Sequence, residues 1–170
     1  MEPQPINFDL TPEQIAVAKV MIVDDESLVT GSLTNLLFLE MEIDAIAFND
    51  PRDALEHAQE NEIDAVVSDF LMPELDGIEL LTGVRQAQPH VPRILLTGYA
   101  DKESAIQAIN RVQLFQYIEK PWDNDALRHV ITAALHRIHL IRSLTSYVDQ
   151  LTSTQKDLGD IKKALMRTFA

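Results

Sequence analysis

Cysteine is absent from the 170-residue chain, which excludes disulfides, zinc–thiolate centres and thiol catalysis. No window approaches the roughly 18 consecutive apolar residues of a membrane-spanning helix. The opening residues, Met1-Glu2-Pro3-Gln4-Pro5, have neither the basic nor the apolar stretch of a secretory leader. Basic side chains are scarce: 14 Lys and Arg face 27 Asp and Glu, a formal charge of −13. A surface that acidic repels nucleic acid and anionic lipid, so neither direct nucleic-acid binding nor a membrane partner is expected. Gly-x-x-x-x-Gly-Lys and Gly-x-Gly-x-x-Gly are missing too, which removes ordinary nucleotide binding. The five histidines, His57, His90, His129, His136 and His139, share no ligand spacing. What is plentiful is apolar residue, at 46%, and carboxylate. That composition suits a folded core rather than disorder, and the expected location is cytoplasmic.

The charge is unevenly spread. Residues 1–140 hold 24 acidic and 9 basic side chains, whereas residues 141–170 carry five basic and three acidic ones. The front is distinct as well, since residues 1–18 contain three of the eight prolines. There Thr11-Pro12-Glu13-Gln14 reads as a helix start, with Thr as cap and Pro at the first position. These shifts divide the chain into an N-terminal tail (1–18), a body (19–138) and a C-terminal extension (139–170).

Within the body, short apolar runs at Val20–Val23, Ile43–Phe48, Ala65–Val67, Ile94–Leu96 and Leu114–Ile118 alternate with segments of helical period. Leu28, Leu33, Leu36, Leu37 and Met41 mark the first helical segment. Ala54, Leu55 and Ala58 mark the second, Ile78, Leu81 and Val84 the third, and Ala105, Ile106 and Ile109 the fourth. Asp50-Pro51 caps the second, and Asp123 caps a fifth that begins after Trp122. Near-continuous apolar strands alternating with helices imply an α/β fold, a (βα)5 doubly wound parallel sheet covered on both faces. In such sheets, ligands bind beyond the carboxyl ends of the strands.

Those ends carry Asp24-Asp25, Asp69, Thr97-Gly98 and Lys120-Pro121, while Asn49-Asp50 reads as plain helix capping and Asp76-Gly77 as a turn. Alone, Asp24 and Asp25 would read as caps of the first helix. Three carboxylates in one cleft repel each other unless a cation neutralises them, and a hard divalent ion such as Mg²⁺ answers that need. One carboxylate is then free to attack a phosphoryl group, with the Thr97 hydroxyl and Lys120 ammonium on its oxygens.

The set Asp24-Asp25, Asp69, Thr97 and Lys120-Pro121 resembles the receiver domain of bacterial two-component response regulators. So do the stretches Ser68-Asp69-Phe70-Leu71-Met72-Pro73-Glu74-Leu75-Asp76-Gly77 and Tyr117-Ile118-Glu119-Lys120-Pro121-Trp122. The likeness implies strand order 2-1-3-4-5, phosphorylation of Asp69 by a histidine kinase or phosphotransfer protein, and a cis Lys120–Pro121 bond. It implies a Mg²⁺ site of Asp24, Asp25, Asp69 and the backbone carbonyl of Leu71, with Lys120 on the phosphoryl group. Thr97 and Tyr117 would form the switch, and Leu71 and Tyr99 would tune the lifetime of the modification. The chain would then be no enzyme beyond its own phosphorylation and dephosphorylation. A phosphatase of the haloacid dehalogenase type would need a second aspartate where Leu71 stands.

The fifth helical segment does not stop with the body. Leu144, Leu151, Leu158 and Leu165 fall seven apart, and Leu127, Ala134, Ile141 and Val148 form a partner row that Gln155 and Lys162 continue. That is a heptad seam with polar interruptions, and Gly159 within it costs about 1 kcal/mol against alanine. The expectation is an extended C-terminal helix forming a homodimeric coiled coil; the other reading is a helix folded back on its own body. Phosphorylation would act through the fourth helical segment, the fifth strand and the fifth helix, in the N-terminal part of a longer regulator. The alternatives are a complete chain that signals through its partners, and a constitutive coiled-coil dimerisation or adaptor module with an inert acid pocket.

Overall fold

The computed structural model describes residues 10–98, 103, 106 and 111–168. Among these, five strands run β1 (Val20–Val23), β2 (Ile46–Phe48), β3 (Ala65–Asp69), β4 (Arg93–Thr97) and β5 (Gln116–Glu119). They pair in parallel in the order β2-β1-β3-β4-β5. The helices are α1 (Pro12–Ala16), α2 (Ser27–Met41), α3 (Pro51–Glu60), α4 (Gly77–Ala87) and α5 (Asn124–Thr168). This is the expected doubly wound sheet with a long C-terminal helix. Of the fourth helical segment, Ala105 and Ile109 lie outside the described residues, as does Tyr99.

Alternate strand residues feed two cores. Val20, Ile22, Ala65, Val67, Ile94 and Leu96 pack with Leu33 and Leu37 of α2 and Leu127, Ile131 and Leu135 of α5. Met21, Val23, Val66 and Leu95 face the other way, onto Ala54 and Ala58 of α3 and Leu80, Leu81 and Val84 of α4. Burial on both faces is why β1 is apolar throughout, as are Ala65–Val67 of β3 and Ile94–Leu96 of β4.

Helix starts follow the sequence signals. Thr11 and Gln14 form a capping box on α1, Asp50 accepts from the Arg52 N–H above Pro51, and Asp123 Oδ1 accepts from the Ala126 N–H at 2.8 Å. Strand extents differ from expectation. β2 begins at Ile46 rather than Ile43, because α2 ends at Met41 and residues 42–45 turn the chain from its cap into the strand. Glu42 adopts a left-handed conformation (φ 59°), and the Ile43 N–H returns to the Leu37 carbonyl at 3.2 Å. Ile43 is buried, as an apolar run predicts, but beside a helix end rather than in a strand. β5 starts at Gln116 instead of Leu114 and reaches Glu119, while β3 and β4 extend to Asp69 and Thr97.

α5 is continuous over 45 residues, about 68 Å at 1.5 Å per residue, so it does not fold back on its body. Its face changes along the way: Ile131, Leu135 and Ile138 are buried, whereas Leu144, Leu151, Leu158 and Leu165 are exposed, Leu158 by 61%. The helical period sets the exposed row on roughly the opposite side from the buried one.

Candidate functional site

Register brings the strand ends together. Val23 is level with Ser68, Asp69 with Leu96, and Thr97 with Glu119, so the residues that follow emerge at one edge of the sheet. There the carboxylates of Asp24, Asp25 and Asp69 each place an oxygen within 4.8 Å of the others. Asp24 is fully buried, Asp69 is 9% exposed and Asp25 is open to solvent. The Lys120 ammonium bridges the two buried acids, 2.9 Å from Asp24 Oδ2 and 2.8 Å from Asp69 Oδ1.

Helix capping does not account for the first acidic pair. The N-cap of α2 is Glu26, with no side-chain bond, while Asp24 Oδ1 accepts from the Glu26 N–H at 2.9 Å and so folds the loop around the site. Asn49 has more to do than cap a helix. Its amide donates to the Asp24 carbonyl at 2.7 Å and to Thr30 Oγ1 at 3.1 Å, while the Asp24 N–H bonds the Phe48 carbonyl. The sequence offered one signal for this role: Asp50 alone suffices as cap, leaving Asn49 a polar residue at a strand end without a task.

The loop after Asp69 is shaped by α4. Asp76 and Glu79 form a capping box, so Asp76-Gly77 is a helix start rather than the expected turn. Gly77 donates its N–H to the Phe70 carbonyl at 2.9 Å, and a Cβ there would lie 2.0 Å from the Asp69 carbonyl oxygen. Only glycine lets the helix begin that close to the acid's own backbone. Leu71, two places after Asp69, has an exposed side chain.

Thr97 is buried at the end of β4, and its hydroxyl donates to the Gly98 carbonyl at 3.1 Å. Tyr117 on β5 is half-buried against the α3 and α4 core. The Lys120 N–H bonds the Thr97 carbonyl at 2.8 Å, and the Lys120–Pro121 peptide is cis, as the resemblance implied.

Electrostatics follow from this packing. Burial pushes the Asp69 carboxyl above the usual carboxylate range, against the hydrogen bond and charge of Lys120, and the Asp24 charge adds to the rise. Burial works against the Lys120 ammonium, but its bonds to Asp69 and Asp24 together raise its pKa above the ordinary lysine value. Three carboxylates against one ammonium leave the ionised cluster with two excess negative charges. Its donors are all oxygen. That set fits a hard divalent cation and suits neither zinc–thiolate nor imidazole chemistry.

Comparison with known proteins agrees. Residues 20–132 match the family described as response regulator receiver domain. Regulatory protein AtoC of Escherichia coli (strain K12) is 33% identical over 146 residues, covering 86% of this chain and 31% of that protein. The chain thus spans about a third of the length of the curated relatives it matches first. A response regulator receiver domain protein from Clostridium thermocellum superposes with a TM-score of 0.69 at 31% identity, over 74% of this chain and 99% of the other. Full-length FixJ from B. japonicum gives 0.68 at 26%, over 80% and 66%. Among the described residues, no helix is long and apolar enough to cross a membrane. With most of its length inside the matched bounds and its fold shared with a solved receiver domain, this chain belongs to the response regulator receiver domain family.

Proposed function

We propose that the chain is a phosphorylation-driven switch in which Asp69 accepts a phosphoryl group from a histidine kinase or phosphotransfer protein. The observation that carries this reading is the Lys120 ammonium held between Asp24 and Asp69, beside the third carboxylate of Asp25. An Asp69 oxygen attacks phosphorus, the phosphorus–nitrogen bond of the donor breaks, and the imidazole leaves with the electron pair. Lys120 would follow the phosphoryl oxygens, a role that its contact with the Asp69 carboxylate supports. Asp24, Asp25, Asp69 and the Leu71 carbonyl would hold Mg²⁺, which supplies charge neutralisation for the incoming group.

The Thr97 hydroxyl is spent on its own loop, so engaging the phosphoryl group requires it to leave the Gly98 carbonyl and rotate inward. Tyr117 then packs behind it. The change reaches β5 and α5, and residues 139–170 act as a connector that carries it to a homodimer along the exposed leucine row. No catalytic turnover of an outside substrate is part of this reading.

The test uses Trp122, the single tryptophan, two residues from Lys120. Beryllofluoride with Mg²⁺ should change its fluorescence, and Asp69→Asn should abolish the change; no response in wild type would overturn the proposal. The exposure of Leu144, Leu151, Leu158 and Leu165 favours a second reading, in which dimerisation is constitutive. Light scattering of the full chain separates the two: a switch gives a beryllofluoride-dependent mass or shape, an adaptor gives one dimer throughout.

A further inference from the structure

At the opposite end of the sheet from the acidic cluster, one carboxylate joins three segments of the chain. Asp64 closes the loop between α3 and β3. Its Oδ2 accepts from the Lys19 N–H at 2.7 Å, and its own N–H donates to the Lys19 carbonyl at 2.8 Å. Its other oxygen, Oδ1, accepts from Arg142 Nη1 on α5. Arg142 Nη2 donates in turn to the Ile63 carbonyl at 2.9 Å, so the guanidinium grips a carboxylate and a backbone oxygen together. On the neighbouring side of this grip stands α1. Leu10, Gln14, Val17 and Ala18 share a small cavity with Ile138 and Arg142, while Leu10 and Ile15 pack on the core that α5 completes.

The position of this contact along the helix gives it meaning. Ile138, one turn before Arg142, is buried, and Leu144, two residues after it, is exposed. Beyond Arg142 a groove of about 680 Å³ opens between the body at Pro89–Val91 and the helix at Thr145, Ser146 and Asp149. Arg142 therefore stands where α5 parts from the domain. Up to Ile138 the helix is held mainly by its apolar face, with the Arg128–Glu40 ion pair and Arg137 over the Phe115 ring beside it. Apolar contacts leave it free to pivot and roll in its final turn, because they are non-directional. An arginine fixed to two acceptors supplies direction at that point.

We infer that Asp64 and Arg142, backed by α1, form a clamp that sets the exit direction and rotational phase of α5, making both positioning residues for the output helix. The inference rests on the reading of α5 as connector for its consequence: any tilt of the body is delivered to the leucine row as a rigid movement. The clamp itself needs neither phosphorylation nor metal. Exposed ion pairs contribute little to stability, and Arg142 is 44% exposed, so its effect is expected in geometry more than in melting temperature.

The absence of cysteine makes the test direct. Spin labels are placed through Gln59→Cys on α3 and Ser153→Cys on α5, both exposed, in the full chain diluted with unlabelled protein and without Mg²⁺. The wild-type label distance should be narrowly distributed. Asp64→Asn and Arg142→Gln should each at least double its width while circular dichroism keeps its helical signal, and the double variant should be no broader than either single one. Arg128→Gln, which removes an ion pair with Glu40 near the start of α5, should leave the width unchanged. An unchanged width in both single variants, or additive broadening in the double variant, would overturn the clamp. Because the measurement is made on the unphosphorylated chain, a failure at Asp69 would leave it standing, and the reverse also holds.

Discussion

The two ends of the sheet both bury charge, and they treat it in opposite ways. At the amino end of β4, Arg93 is 4% exposed, and its guanidinium is consumed by neutral carbonyls. Nε donates to Val112, Nη1 to Val91 and Pro89, and Nη2 to Gln113, at 2.7–3.2 Å. Burial, with Arg85 and Arg137 nearby, pulls its pKa down to about 10, which still leaves it charged at neutral pH. At the carboxyl end, Asp24 and Asp69 share a single ammonium with an exposed third acid beside them. One end has exhausted its polar partners and holds the fold; the other keeps an excess of one sign and can take up a ligand. A buried charge is therefore no sign of function by itself. The balance around it is.

The largest expected effect breaks the satisfied end. Arg93→Met removes four hydrogen bonds and should cost about 3 kcal/mol, lowering the melting temperature by roughly 6–12 °C. Calorimetry reads that loss, and beryllofluoride should still bind the folded fraction, because the acidic edge is untouched. Gly77→Ala breaks the other end through its backbone. A Cβ 2.0 Å from the Asp69 carbonyl forces α4 to shift, at a cost of about 2 kcal/mol together with weakened Mg²⁺ binding by titration.

Asn49→Ala sharpens the contrast without unfolding anything. Loss of its bond to the Asp24 carbonyl, worth about 1 kcal/mol, should weaken Mg²⁺ roughly five-fold, as isothermal titration would record. The smallest effect is one of pH. Because the Asp69 pKa is raised above its ordinary value of 3.8, its contribution to stability is complete below that value and is lost as pH climbs through the folded one. Asparagine stays neutral. In chelator, the melting temperature of Asp69→Asn relative to wild type should therefore rise as pH climbs from the ordinary carboxylate value through the folded one. A difference that falls over that range would contradict the electrostatic picture of the site.

How much of this could be read from the sequence depends on what each residue bonds. Strands buried on both faces must be apolar, so the first polar residue after a run, Asp24 or Thr97, marks the sheet's edge directly, and Asp69 follows its run after one buried serine, Ser68. Asp50-Pro51 and Thr11-Pro12 announce helix starts through their own side chains. Ile43 misled, because an apolar residue under a left-handed helix end is buried just as one in a strand is. Arg93 was illegible for a different reason, and Asn49 left only the hint of one cap residue too many: both act chiefly on backbone carbonyls, which carry no letter in a sequence. Arg142 combines both difficulties. The seven-residue spacing marked the exposed leucine row beyond residue 139, yet nothing local announced that Arg142 reaches back to Asp64 and Ile63.

The most direct test of the central claim is phosphoryl uptake from acetyl phosphate, followed by intact mass and by mapping of the modified peptide. The account predicts incorporation of one phosphoryl group that requires Mg²⁺, maps to Asp69 and disappears in Asp69→Asn. A wild-type chain that takes up none in the presence of Mg²⁺, or an Asp69→Asn variant that takes up as much as wild type, would contradict it.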